Sequence, residues 1–165
     1  MNSLLSWMTA TFGGVLTREA LAFVISMVPI LELRGGLIFS SAAGIDMWKA
    51  IPICVIGNLI PVPFILLLIT RIFSWLKKTK VFRPMVEKLE NKAMSKKDQI
   101  EKYEFWGLVL FVGIPLPGTG AWTGSLIAAL LDMKFRKAFP AVIIGVCLAT
   151  VIMTTISYVI PGFFF

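Results

Sequence analysis

The segment PILELRGG, residues 29–36, sits in the middle of an otherwise apolar run over residues 19–43. IPLPGTGAWTG, residues 114–124, interrupts a run over 105–131 in the same way. Proline removes a backbone donor and clashes with the preceding turn, and glycine permits φ > 0, so neither segment continues a helix. The limbs flanking them, such as 19–30 and 105–115, hold about a dozen residues, roughly 18 Å of helix against a hydrocarbon core of about 30 Å. Each run therefore reads as a re-entrant helical hairpin. Non-helical backbone at that depth must be satisfied by protein or by a water-filled cavity, and the two tips are expected to meet near the midplane.

Two further runs, 50–73 and 138–162, are long enough to cross a membrane. Of the 165 residues 58% are apolar and only 15% charged, with a mean hydropathy of +0.87. That excludes both an ordinary soluble domain and a disordered chain. The length suits one membrane domain, with an interfacial segment at 1–17, repeats at 18–73 and 105–162, and a linker at 74–104.

Charge separates two crossings from four. Of 16 basic residues, ten lie between Arg71 and Lys102, and Lys134, Arg136 and Lys137 share one short loop. The positive-inside rule places both the linker and the 132–137 loop in the cytoplasm. Four crossings would put them on opposite faces; two hairpins and two crossings put them together. The termini then fall outside or at the interface. This distribution gives the net charge of +7 a membrane cause rather than a nucleic-acid partner.

Shifting the chain by 88 positions aligns 23–58 with 111–146 without a gap, and nine of the 36 pairs are identical. They include Pro29/Pro117, Gly36/Gly124, Pro52/Pro140 and Gly57/Gly145. Each unit is a hairpin followed by one crossing helix, and a unit that crosses once must be followed by one of opposite orientation. The expected fold is thus an all-α membrane protein of two inverted repeats, an arrangement found in secondary transporters.

Smaller features fit that frame. Leu4, Leu5, Met8 and Phe12 suggest a short interfacial helix without the basic region of a signal peptide. In the linker, Phe82, Met85, Val86 and Leu89 recur at helical spacing, and Ser95 with Asp98 reads as a capping box. Trp7, Trp48, Trp75 and Trp106 lie near membrane boundaries. Cys54 and Cys147 read as packing residues, and Gly57 and Gly145 as close helix contacts. There is no His, and no nucleophile–base pair or metal-ligand cluster, so enzymatic chemistry, a cofactor and a metal are not expected.

Glu32 and Arg34 are the only charges deep inside an apolar run. Such groups cost about 2.5–3.5 kcal/mol to insert and mark functional sites, although a structural ion pair pinning the turn is the simpler alternative. Their partners at 88 residues are Gly120 and Trp122, so a tip can be built without charge. Gly35 and Gly36, and Gly118, Thr119 and Gly120, are read as opening the second limbs, where helix N-termini attract anions. Arg34 adds a bidentate donor, Thr119 and Thr123 add hydroxyls, and Trp122 can pack on an apolar moiety. Desolvation favours the neutral form of Glu32, the candidate proton carrier. Pro29 and Pro117 shape the tips; Asn58, Pro61 and Pro63 interrupt the first crossing, where a simple kink with satisfied packing is the leading reading and Asn58 as a tip contact the alternative.

At these residues the chain resembles the small multidrug export protein family, a relative of the DedA superfamily of bacterial and archaeal membrane proteins. The matching segments are PILELRGG and IPLPGTGAWTG, and the resemblance runs from about residue 18 onward. It implies a prokaryotic cell membrane, with drug export by the family's name. The DedA relation implies re-entrant hairpins, dependence on the proton-motive force and, in some members, flipping of undecaprenyl phosphate or other lipids. In that superfamily membrane-embedded acidic and Arg residues matter, and Glu32 and Arg34 match those of its first hairpin; the second tip here carries neither. The expected activity is proton-coupled transport or flipping of an anionic amphiphile. Alternatives are drug/H⁺ antiport for organic cations and a non-transporting membrane scaffold. A homodimer fits so small a membrane domain.

Overall fold

The computed structural model describes residues 17–78, 83–94 and 104–160. The interfacial segment and the Ser95–Asp98 capping box lie outside those residues. Every element among them is helical: α1 (Arg18–Met27), α2 (Glu32–Ala42), α3 (Met47–Leu59), α4 (Pro61–Leu76), α5 (Arg83–Met94), α6 (Glu104–Gly113), α7 (Ala121–Leu130) and α8 (Phe135–Thr154), which runs into a π-helical turn at Thr155–Val159. Two stretches are long and apolar enough to cross a membrane, Met47–Leu76 and Phe135–Val159, whose most apolar 18-residue windows have mean hydropathies of 2.4 and 2.3. The first combines α3 and α4, with Ile60 in helical backbone geometry and Pro61 at the first position of α4.

The described chain divides into two compact units. One contains residues 17–58 and 150–160, the other 59–149 with its undescribed residues left aside. Each therefore holds one hairpin.

In the first unit, α1 packs along α2. Thr17 caps α1 by accepting from the Ala20 N–H at 3.2 Å. Leu21, Ala22, Ile25 and Ser26 form its buried stripe, against Leu33, Gly36, Leu37 and Ser40 of α2. Arg18 donates to the Ala43 carbonyl at 3.0 Å, a cation at a helix C-terminus, and so holds the open end of the hairpin. Helix α3 lies close to both limbs. A Cβ on Gly57 would lie 2.7 Å from the Phe23 carbonyl oxygen and 3.2 Å from Ser26 Cβ, while Cys54 approaches Ser40 at 3.6 Å.

The second unit repeats this local construction. In α6, Gly107, Leu108, Phe111 and Val112 are buried, and in α7 Ala121, Gly124, Ser125 and Ala128. A Cβ on Gly145 would lie 2.6 Å from Val112 Cβ and 2.9 Å from the Val109 carbonyl. As the sequence suggests, Gly57 and Gly145 are close helix contacts. Helix α4 buries Val62, Ile65 and Phe73 and packs on α7. Helix α5 also packs on α7, with Val86 buried, and Glu90 pairs with Lys77 at the end of α4.

The ends of α2 and α7 match bond for bond. Gly44 donates to Ser41 and Ile45 to Ser40; Asp132 donates to Ala129 and Met133 to Ala128. Both are Schellman motifs, with the left-handed residue at Gly44 (φ 71°) and Asp132 (φ 53°). The 88-residue correspondence thus holds from the second limb into the following helix. It fails in the first limb. The buried stripe of α1 matches that of α6 at 86 residues, Leu21 with Gly107 and Ser26 with Val112, because the second turn is two residues longer. Phe23/Phe111 and Val24/Val112, aligned by the gapless shift, are not equivalent positions.

The limbs α1 and α6 have ten residues each, shorter than the sequence suggests, because each chain leaves the helix before its prolines. Trp48, Trp75 and Trp106 are exposed at helix ends. Cys54 packs, as expected, but Cys147 is exposed on α8 and is not a packing residue.

Candidate functional site

The first tip is built without glycine at its tightest points. Ile30 has φ 81° and Glu32 φ 49°. Left-handed backbone costs a side-chain-bearing residue about 1–2 kcal/mol, and a β-branched residue is a marked outlier there. Such strain gathers at functional sites. Ile30 is 94% exposed and Leu31 45%, while Glu32 is 4% exposed and Leu33 2%. The chain thus pushes two large apolar side chains outward and turns the carboxylate inward. Arg34 is half-buried and its charge attracts that of Glu32.

Gly35 and Gly36 do not open this limb. Helix α2 already begins at Glu32, and the Gly35 N–H donates to the Leu31 carbonyl at 2.7 Å. Gly36 is buried against α1 and α3: a Cβ there would collide with Ser26 Oγ and lie 2.9 Å from Cys54 Sγ. Their smallness serves packing. The positive φ of Glu32 starts the helix three residues earlier than glycine alone suggests.

In the second tip, Gly118 (φ 78°) and Gly120 (φ 125°) make the turn, and Gly120 is the N-cap of α7 without a side-chain cap bond. Here Gly118, Thr119 and Gly120 do open the limb. The Thr119 hydroxyl is spent within the turn: it accepts from the Leu116 N–H at 3.2 Å and lies 2.8 Å from the Ile114 and Leu116 carbonyls, to either of which it donates. Pro117 and Gly118 are exposed, and Trp122 and Thr123 are half-buried in the first turn of α7. Pro29 is likewise exposed at the first tip.

Sequence reading missed a polar strip in the first unit. Thr150, Thr154 and Ser157 are buried at a spacing of four and three residues, the pattern of one helix face. The Ser41 hydroxyl donates to the Ser157 carbonyl, and Tyr158 donates to the Ile45 carbonyl at 3.2 Å, which fixes the π-helical turn to the end of α2. Asn58 is 2% exposed. Among the described residues of this unit, Asn58 Oδ1, Thr154 Oγ1 and Ser157 Oγ are buried without a hydrogen-bond partner, at a cost of about 1–3 kcal/mol each unless water or a ligand reaches them. No group of His, Cys, Asp and Glu suited to a metal occurs among the described residues.

A family model described as "Putative small multi-drug export protein" matches residues 32–152. The match starts at Glu32, the last bend of the first tip, and takes in the whole of the second. The chain belongs to this family. Its name assigns export, which makes the expected activity of this small multi-drug export family member transport rather than catalysis, and with the two long apolar helices makes it a membrane protein. Neither curated proteins nor solved structures yield a match.

Proposed function

We propose that this protein is a proton-coupled transporter or flippase for an anionic amphiphile such as a polyprenyl phosphate, with the first hairpin tip as its substrate site. The hairpins are re-entrant and the repeats inverted, so that α1, α2, α6 and α7, each of ten or eleven residues, reach about halfway through the hydrocarbon. One observation carries the reading: a buried carboxylate and a half-buried guanidinium two residues apart on a strained turn, where the second hairpin has Gly120 and Trp122.

Arg34 holds the anion by parallel N–H donors. Glu32 loses and regains a proton as the anion arrives and leaves, because its charge and the substrate's compete for the same guanidinium. In the second hairpin, Trp122 and Thr123 are the side chains offered to an apolar moiety, while Thr119 shapes the turn. Purified protein in liposomes tests this with a labelled polyprenyl phosphate. Parent protein moves the lipid faster under an imposed pH gradient, Arg34→Ala falls to the protein-free rate, and Glu32→Gln loses the response to the gradient. Unchanged rates in both variants would refute the site.

The family's name favours a second reading, drug/H⁺ antiport, in which Glu32 alone meets an organic cation. Under that reading cationic dyes are exported from vesicles and polyprenyl phosphate is not.

A further inference from the structure

Helix α4 carries a second feature independent of the hairpin tips. Thr70, Arg71, Ser74, Trp75 and Lys78 line an open cavity of about 330 Å³ near its C-terminal end. Arg71, Ser74, Trp75 and Lys78 follow one another at i, i+3, i+4 and i+7, the spacing of a single helix face. The same face continues toward the N-terminus as Phe64, Leu67 and Leu68, which are 63%, 54% and 39% exposed. The opposite side of the helix, with Val62, Ile65 and Phe73, is buried. One stripe therefore changes from apolar to cationic over the roughly 15 Å of helix between Leu68 and Lys78.

The chemistry of the cationic end is one-sided. Arg71 and Lys78 supply two positive charges and Trp75 an indole N–H. The Ser74 hydroxyl proton is already given to the Thr70 carbonyl at 2.8 Å. Among the described residues neither Arg71 nor Lys78 pairs with a carboxylate; the nearby Glu90 pairs with Lys77, and Glu87 with Arg83 at 2.8 Å. Two uncompensated cations at the end of a membrane-span candidate complement an anion at the headgroup level. The apolar residues on the same face complement an acyl chain. A free phosphate would leave Phe64, Leu67 and Leu68 without a role.

We propose that this stripe is a binding site for an anionic phospholipid, with the headgroup phosphate at Arg71 and Lys78, Trp75 at the interface and one acyl chain along Leu68, Leu67 and Phe64. The site belongs to the leaflet next to the basic linker, the cytoplasmic one by the positive-inside rule, where anionic lipids attract juxtamembrane Lys and Arg.

The test is quenching of Trp75 fluorescence by brominated lipids in bilayers containing the full-length protein, with the Trp75→Phe variant subtracted to isolate its emission. Brominated phosphatidylglycerol should quench the Trp75 component at several-fold lower mole fraction than brominated phosphatidylcholine. Surface electrostatics gives about a fivefold change per cation, so Arg71→Gln with Lys78→Gln should bring the two lipids level. Circular dichroism of that variant should match the parent. Equal quenching by both lipids in the parent, a preference that survives the double substitution, or relief of quenching by millimolar inorganic phosphate would each overturn the proposal; the last would mark a free-anion site instead.

Discussion

Glu32 occupies the backbone position that Gly120 occupies in the other hairpin. Each immediately precedes a buried residue in the first turn of the second limb, Leu33 or Ala121, and each has positive φ, 49° and 125°. A glycine suffices for that turn, so Glu32 is kept at a conformational cost of about 1–2 kcal/mol. The prediction concerns a tip exchange. Glu32→Gly with Arg34→Trp should unfold within about 1 kcal/mol of the parent, since the strain relieved offsets the lost attraction between the charges, while substrate movement is abolished. Thermal melts and liposome flux measured on one preparation separate the two effects.

Gly36 and Gly57 should differ in how they can be rescued. Gly36→Ala puts a methyl onto Ser26 Oγ and should cost about 2 kcal/mol, within the range for overpacking. Adding Ser26→Ala removes the colliding atom and should recover at least half of the loss. Gly57→Ala meets the Phe23 carbonyl oxygen at 2.7 Å, a backbone atom that no side-chain change removes, so Ser26→Ala should not restore it. A double-mutant cycle in denaturant reads both couplings.

The matched Schellman motifs give a stabilising substitution. Asp132 carries a side chain at φ 53° where Gly44 carries none. Asp132→Gly should stabilise by about 0.5–1 kcal/mol, and Gly44→Ala should destabilise by a similar amount. Open space surrounds the Gly44 position, so the effect there is conformational rather than steric. Melting temperatures of both variants check the sign.

Thr119 should act as a structural residue. Thr119→Val keeps the shape and loses the hydroxyl that bonds the Leu116 N–H and a turn carbonyl, at a cost of about 1 kcal/mol. Thr119→Ser should restore stability. Substrate affinity, corrected for the folded fraction, should be the same in all three proteins.

The hairpin limbs and the two long helices were legible because Pro, Gly and charge are rare in apolar runs and stand out where they occur. The turn geometry was not. PILELRGG ends in two glycines, and periodicity alone assigns them the bend; the structure bends at Ile30 and Glu32 instead, residues whose side chains disfavour positive φ and carry no local sign of it. That choice shifts the first limb by two residues relative to its counterpart. Charge identified Glu32 and Arg34 without regard to conformation. The polar strip of Thr150, Thr154 and Ser157 stayed hidden among apolar neighbours, since hydroxyls in a hydrophobic helix ordinarily bond their own preceding turn, as Thr155 does to the Val151 carbonyl at 2.8 Å.

Sidedness of the first hairpin tests the account most directly. Thr17 and Asp46 are both exposed and flank the hairpin. In a background with Cys54→Ala and Cys147→Ala, Thr17→Cys and Asp46→Cys are each labelled with a membrane-impermeant maleimide in intact and permeabilised cells. A hairpin that enters and returns predicts that both react from the same side of the membrane. Labelling of the two from opposite sides would make residues 18–43 a crossing helix, and the tip bearing Glu32 and Arg34 would no longer exist as a site.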